Sequence, residues 1–375
     1  MSEWEVTILG EVLRLQYGKD HKTLANGSIP CFGSGGIIRY VNQAIYDEES
    51  ILIPRKGTLN NILYQDKPFW TVDTMFWSKI NTRRVLPKFL YYQLQLVDFT
   101  NLDVGSAVPS LTIPVISDID ILLPPFPEQK AISEVLSSLD DKIDLLHRQN
   151  RTLEAMAETL FRQWFIEEIE EDWEEIPLIK LCKTITKGTT PTTLNKSFVE
   201  SGINFIKVNC FDEYGNFIFS KFDHIDSQTN QLLKRSQLSK GDILYSIAGT
   251  IGRIAQVPDY ILPANVNQAI AIIRVNENYI CPYYIKYYLK NGVIDNLLQS
   301  KIVHAVQPNL SLGEIGSILI SIPESNNETY KFFCYLVSKI EELVEINKKN
   351  IIMLTEKRNL LLPKLISGEV RVKLE

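Results

Sequence analysis

Two hydrophobic textures alternate along the chain. In the first, short apolar runs stand between turn residues, as in ESILIPRKG (Glu49–Gly57), GDILYSIAG (Gly241–Gly249) and QAIAIIRV (Gln268–Val275). Such runs predict strands, and a continuous one like QAIAIIRV predicts a strand buried on both sides. PKFLYYQLQLV (from Pro87) and PYYIKYYLKNGVIDNLL (from Pro282) predict short helices among them.

The second texture is a heptad. Ile132, Leu136, Leu139, Ile143, Leu146, Asn150, Leu153, Ala157, Leu160 and Trp164 follow the alternating four–three spacing of a coiled-coil seam. A helix from about 128 to 165 is ~57 Å long at 1.5 Å per residue, too long to bury against a compact domain without a second helix. That partner is predicted near the C-terminus, where Phe333, Leu336, Ile340, Leu343 and Asn347 keep the spacing. Beyond Asn347, INKKNIIML against HRQNRTL aligns best with three extra residues. A local re-phasing is therefore expected there, the apolar face returning at Met353, Leu360, Leu361 and Leu365. Asn150 and Asn347 fall on equivalent seam positions, where a polar residue fixes register at a cost in stability. In an antiparallel pair within one chain they should meet; the alternative is that both face solvent at a seam edge.

Both textures occur twice and in the same order. EWEVTILGEV (from Glu3) answers DWEEIPLIKL (from Asp172), with Gly18 near Gly188, and SILIPRKGTLNNI answers DILYSIAGTIGRI. KFLYYQL answers YYIKYYL, AVPSLT answers VQPNLS, IDILLP answers ILISIP, and DKIDLL answers SKIEEL. The chain is an internal repeat of globule and long helix. The fold class is α+β: two similar mixed α/β domains, 1–126 and 171–323, separated by two long helices, 127–170 and 324–375. These helices are expected to pair as an antiparallel coiled coil with pseudo-two-fold symmetry. Antiparallel helices would hold the two globules a fixed distance apart, which suits a bipartite target.

Composition narrows the classes. The 375 residues are 45% hydrophobic and 22% charged, an ordinary globular balance. Cys31, Cys182, Cys210, Cys281 and Cys334 are far apart with no CxxC pair, as in a reduced, cytoplasmic protein. No signal peptide and no membrane span are expected. The net charge of −6 speaks against nucleic acid when averaged. By region it is −2, −5, 0 and +1, so the acid excess sits on the first long helix and basic patches elsewhere stay possible.

Catalytic motifs fail where they matter. CFGSGG and LPPF approach the cofactor and target-base loops of an adenine methyltransferase. Yet Ser34 replaces the first essential glycine, and Leu123 replaces the Asn or Asp that bonds the base. The histidines are scattered, and no phosphate loop, GxSxG or HExxH occurs, so no metal and no cofactor is expected. The turns KGTTPTT, RKGTLNN and GTIGR instead mix bases, hydroxyls and glycines that suit phosphates, while HAVQPN and NVNQ offer amides that read adenine edges. Each taken singly is also compatible with a plain turn; comparable turns recur in both repeats.

In this order, these segments resemble the specificity (S) subunits of type I restriction–modification systems across essentially the whole chain. WEVTILGEV and WEEIPLIKL resemble the start of each target-recognition domain, and KGTTP the turn that follows. IPCFGSGGIIRY resembles the variant with a Gly-rich turn before a strand. LPPFPEQKAISEVLSSLDDKI resembles the junction into the central helix, and LLPKLISGEVRV the C-terminal close. IPESNNETYKF departs from the usual form of the second junction, which leaves open how that helix begins.

The resemblance implies a non-catalytic subunit whose two domains each read half of a gapped double-stranded DNA target. It implies two methyltransferase subunits, methylating adenine N6, and motor-nuclease subunits as partners, with the acidic helix as a protein-docking face. With globules ~50–60 Å apart along such helices, half-sites more than one duplex turn apart are implied. DNA contacts are then expected from Lys19, Lys22, Arg55, Lys56, Thr58 and Asn60, and from Lys187, Thr189, Lys207, Asn209, Thr250, Arg253, Gln268, Gln307 and Asn309. An enzyme with a cryptic site and a coiled-coil scaffold with protein-binding heads are the competing classes.

Overall fold

The computed structural model describes residues 4–102, 109–168, 173–291, 309–324 and 326–373. They form two compact units, Met1–Leu145 with Asn350–Glu375, and Leu146–Lys349. Each long helix therefore contributes one stretch to each unit.

In the first unit β2 (Leu13–Tyr17), β8 (Met75–Ile80), β5 (Ser50–Pro54) and β6 (Leu63–Gln65) make an antiparallel sheet in that order. β3 (Asn26–Gly33) lies antiparallel to β4 (Gly36–Val41) and parallel to β7 (Trp70–Thr71). β1 (Glu5–Ile8) pairs with β9 (Asp120–Leu123). The second unit repeats this strand for strand. β11 (Cys182–Lys187), β17 (Ile270–Val275), β14 (Ile243–Ser246) and β15 (Ile254–Gln256) form the antiparallel sheet. β12 (Ile203–Ile206) lies antiparallel to β13 (Asp223–Ile225) and parallel to β16 (Ala264–Val266), and β10 (Glu174–Pro177) pairs with β18 (Leu319–Ile322). The repeat inferred from sequence is thus a repeat of topology.

The continuous apolar runs are strands covered on both faces. In β5, Ile51 and Ile53 pack with Phe89 and Leu90 of α1 (Pro87–Leu94), while Leu52 packs the other way on Phe69, Met75 and Trp77. In β14, Ile243 and Tyr245 join the cluster of Tyr284 and Tyr287 on α5 (Pro282–Lys290), and Leu244 faces Ala264 and Val266. Burying each such side chain is worth ~1.5–3 kcal/mol, so either face alone fixes strand register. Both short helices begin on proline, whose missing N–H is no loss in the first turn. Smaller helices are α2 (Ile113–Ser117), α4 (Ser227–Leu232) and α6 (Leu312–Gly316), the last opened by a Ser311–Glu314 capping box.

The long helices are α3 (Phe126–Arg162), ending in a π-helical turn Gln163–Glu167, and α7 (Glu328–Ile366). Every expected seam residue of α3, from Ile132 to Trp164, is buried or half-buried. On α7 the expected seam needs correction, because Leu343, Met353 and Leu360 are 51%, 56% and 63% exposed. The inward line, each residue buried or half-buried, is Phe333, Val337, Ile340, Val344, Asn347, Ile351, Leu354, Arg358, Leu361 and Leu365, an uninterrupted four–three spacing with no re-phasing. Both lines keep the spacing as far as Asn347; the phase that continues unbroken to Leu365, rather than the largest apolar side chain nearby, is the one that faces the partner helix.

Pairing is antiparallel. Within the second unit Asn347 Nδ2 donates to Asn150 Oδ1 at 2.9 Å, and Lys348 reaches Glu154 at 3.3 Å. Within the first, Arg358 bonds Asp140 at 2.8 Å and Arg371 bonds Glu128 at 2.7 Å. The expected meeting of the two asparagines is borne out.

Each head is bolted to its emerging helix. The side chain of Gln129, 1% exposed, accepts from Leu86 N–H at the start of α1 and donates to the carbonyls of Arg84 and Pro124. The second junction lacks this glutamine. There Asn327 caps α7 by accepting from Tyr330 N–H at 2.9 Å, and the Tyr330 hydroxyl accepts from Cys281 N–H at the start of α5. The departure seen in sequence is a change of residue that serves the same backbone group. At the C-terminal close, Gly368 has φ +74° and Arg371 returns to stack over Trp4, 4.5 Å from the ring centroid.

Candidate nucleic-acid interface

In each unit one turn gathers the others. In the first it is Thr71–Met75. Gly18 N–H donates to Met75 O, Lys19 N–H to Thr71 O, and Arg55 and Lys56 N–H to Thr74 O. Leu111 N–H then donates to Arg55 O, and Lys56 bridges Ser110. In the second unit the equivalent turn is Asn267–Ile270. Gly188 N–H donates to Ile270 O, Ile247 N–H to Ala269 O, Leu310 N–H to Ile247 O, and Ala248 bridges Asn309. Arg55–Gly57 and Pro109–Leu111, and likewise Ile247–Ala248 and Asn309–Leu310, are therefore neighbours in space, as the order of their segments in both repeats foreshadows.

The glycine aligned between repeats has a steric reason. A Cβ on Gly18 would lie 2.0 Å from Val72 O, and one on Gly188 1.9 Å from Val266 O. Only glycine lets these connections cross the backbone of the neighbouring strand so closely.

The predicted contact residues divide by what already holds them. Lys19, Lys22, Lys56, Thr58, Lys187, Asn209, Thr250 and Asn309 are exposed. Among the described residues, the side chains of Lys19, Lys22, Lys56 and Lys187 have no hydrogen-bond or ion-pair partner. The others are engaged in holding turns. Arg55 donates to Asp73 O at 3.3 Å and lies over Tyr17. Asn60 donates to Asp98 and accepts from Phe99 N–H. Thr189 accepts from Arg235 at 2.9 Å, and Gln268 accepts from the hydroxyl of Thr190. Lys207 pairs with Asp223 above the Phe198 ring, and Arg253 donates to the carbonyls of Val208 and Phe211. Gln307 lies outside the described residues.

Arg253, Asn209 and Thr250 line one open cleft with Asp212, Glu213 and Lys221. Two features escaped the sequence. Arg235 reaches Thr189 from the short helical turn Lys234–Ser236, which packs beside β11. Arg39, which donates to Leu24 O and Asn26, fastens the β4 edge to the connection bearing Lys19 and Lys22. That edge exposes Ile37, Ile38 and Tyr40, each about half accessible. No local signal marks either arginine, since both act across the chain.

Among the described residues no group of three or more His, Cys, Asp or Glu is placed to hold a metal, and no helix is long and apolar enough to cross a membrane. Burial pushes the Cys182 thiol up to about 12, the behaviour of a packed residue rather than a nucleophile.

The family model described as type I restriction modification DNA specificity domain matches residues 1–155 and again 170–354. The type I restriction enzyme MjaIX specificity subunit of Methanocaldococcus jannaschii is 27% identical over 354 residues, covering 88% of this chain and 79% of the relative. The MjaVIII specificity subunit of the same organism is 22% identical over 405 residues, covering 99% and 94%. A crystal structure of a type I restriction–modification S subunit from M. genitalium shares the fold, with TM-score 0.62 at 17% identity over 97% of this chain and 96% of that one. Two matches to one domain, in two units of one strand order, show that the chain belongs to the type I restriction–modification DNA specificity family, whose members are non-catalytic subunits that recognise DNA sequence with two domains.

Proposed function

We propose that each turn cluster reads one half of a bipartite, gapped DNA target. The paired helices set the gap and dock two adenine-N6 methyltransferase subunits, and motor-nuclease subunits join for restriction. The observation that carries this reading is the recurrence, in both units, of one gathered turn presenting the same connections. Lys19, Lys22, Lys56 and Lys187 are phosphate contacts, being exposed amines on those connections. Thr58, Asn209, Thr250 and Asn309 are offered to base edges or sugars. Asp212 and Glu213 beside Asn209 suit the amino group of cytosine, a donor, better than a phosphate. Arg55, Asn60, Thr189, Lys207, Arg253 and Gln268 act on DNA through the turns they hold, and Gln307 contributes with Asn309 from the same connection. The acidic surface of α3 repels DNA and faces protein.

Base-resolution mapping of adenine methylation in the host, with and without this gene, tests the whole. Loss of one gapped motif is the expected result and reads out both half-sites. Survival of every methylated motif would overturn it.

A further inference from the structure

Tyr92 on α1 and Tyr287 on α5 occupy the same place in KFLYYQL and YYIKYYL, and both are buried, at 2% and 0% exposure. Tyr92 Oη donates to Asp140 Oδ2 of α3 at 2.7 Å, and Arg358 of α7 bonds the other oxygen at 2.8 Å. Tyr287 Oη donates to Glu341 Oε1 of α7 at 2.8 Å, and Lys286 pairs with the same oxygen. In each unit a phenol from the recognition domain therefore grips a carboxylate on the helix leaving that domain, and a cation grips the carboxylate. Burial, with the carboxylate beside it, pushes both phenols up, so they stay neutral donors.

The chemistry is costly for a joint that needed only to be stable. A buried ion pair such as Lys286–Glu341 adds little over well-packed apolar residues of the same volume, because its desolvation cancels most of its attraction, and the half-buried Arg358–Asp140 pair is weakened by solvent screening. Directional, charge-assisted hydrogen bonds contribute what apolar contacts lack, a fixed angle. The latch also recurs with different parts: Asp becomes Glu, and the cation moves from α7 to the recognition helix itself.

We propose that Tyr92–Asp140–Arg358 and Tyr287–Glu341–Lys286 are positioning latches that fix each recognition domain on its spacer, and thereby set which gap between half-sites the protein accepts. This rests on the bipartite reading above. Lengthening a gap by one base pair moves a half-site by ~3.4 Å and turns it by ~35° about the duplex, a displacement a rigid joint rejects. A loosened joint accommodates it.

The test uses the full chain assembled with its cognate modification subunits. Methylation is measured on duplexes with the native gap and with gaps one base pair shorter and longer, for wild type, Tyr92→Phe, Tyr287→Phe and the double variant. The expected result is a fall in native-gap preference by roughly tenfold in the double variant, the scale of one charge-assisted hydrogen bond, with half-site base preference unchanged. Asp140→Glu should retain more of the preference than Asp140→Ala. An unchanged gap preference in complexes that melt earlier would make the latches merely structural and overturn the proposal. A changed base preference would overturn it too, placing the tyrosines in readout. If wild type methylates no bipartite duplex, the underlying reading fails before any variant is compared.

Discussion

The two units share every strand pairing yet solve the same local problems with different residues. β3 turns into β4 through a two-residue hairpin at Ser34–Gly35, whereas 16 residues, Lys207–Phe222, separate β12 from β13. At the helix junction one buried glutamine makes three bonds in the first unit; an asparagine cap and a tyrosine hydroxyl share the task in the second. What recurs is the backbone group that must be satisfied, here the N–H of the residue just before the proline that opens the recognition helix. A buried N–H without a partner costs ~1–3 kcal/mol, whichever side chain is on hand.

The largest test of the comparison is exchange. Replacing residues 1–126 with the corresponding domain of another family member should change one half-site completely and leave the other untouched, read by methylation mapping; simultaneous change of both would refute one domain per half-site. Next in size is the junction. Gln129→Ala orphans Leu86 N–H and two carbonyls and should cost about 3 kcal/mol, against about 1 kcal/mol for Tyr330→Phe, which orphans one N–H. Denaturant unfolding of the assembled chain checks the ranking, and equal losses would mean that the number of orphaned backbone groups does not set the cost. Smaller again is the seam. Asn347→Leu strands the amide of Asn150 and should lose roughly 1–2 kcal/mol, regained in the Asn150→Leu/Asn347→Leu double variant at the expense of register. A double variant as unstable as the single one would remove the pair's register role. The smallest effect is Lys56→Ala. It should weaken DNA binding and lower the salt slope by about 0.9, the share of a single phosphate contact. An unchanged slope removes Lys56 from the interface.

Much was legible because it depends on period and order. The α3 seam, the meeting of Asn150 with Asn347, the strands β5 and β14, and the double-sided burial of β17 all follow from spacing. The α7 seam was misread where Leu343, Met353 and Leu360, off the line, outweighed residues on it, such as the smaller Val344 and the β-branched Ile351. For the turns, local chemistry marked connections that gather in space but could not tell an exposed lysine from an arginine that holds its own loop. Lys56 and Arg55 are adjacent in sequence, yet only Arg55 is engaged by Asp73 and Tyr17.

By itself the sequence determined the repeat, the strands, the coiled coil and the family, because each is encoded in periodicity or in segments that keep their order. Tertiary structure alone decided which polar side chains remain available to a partner and which fasten the scaffold. That choice depends on contacts between residues distant in the chain, Arg235 with Thr189, Tyr92 with Asp140, Tyr287 with Glu341. No local pattern specifies them, because burial and hydrogen bonding across elements arise only after the elements pack.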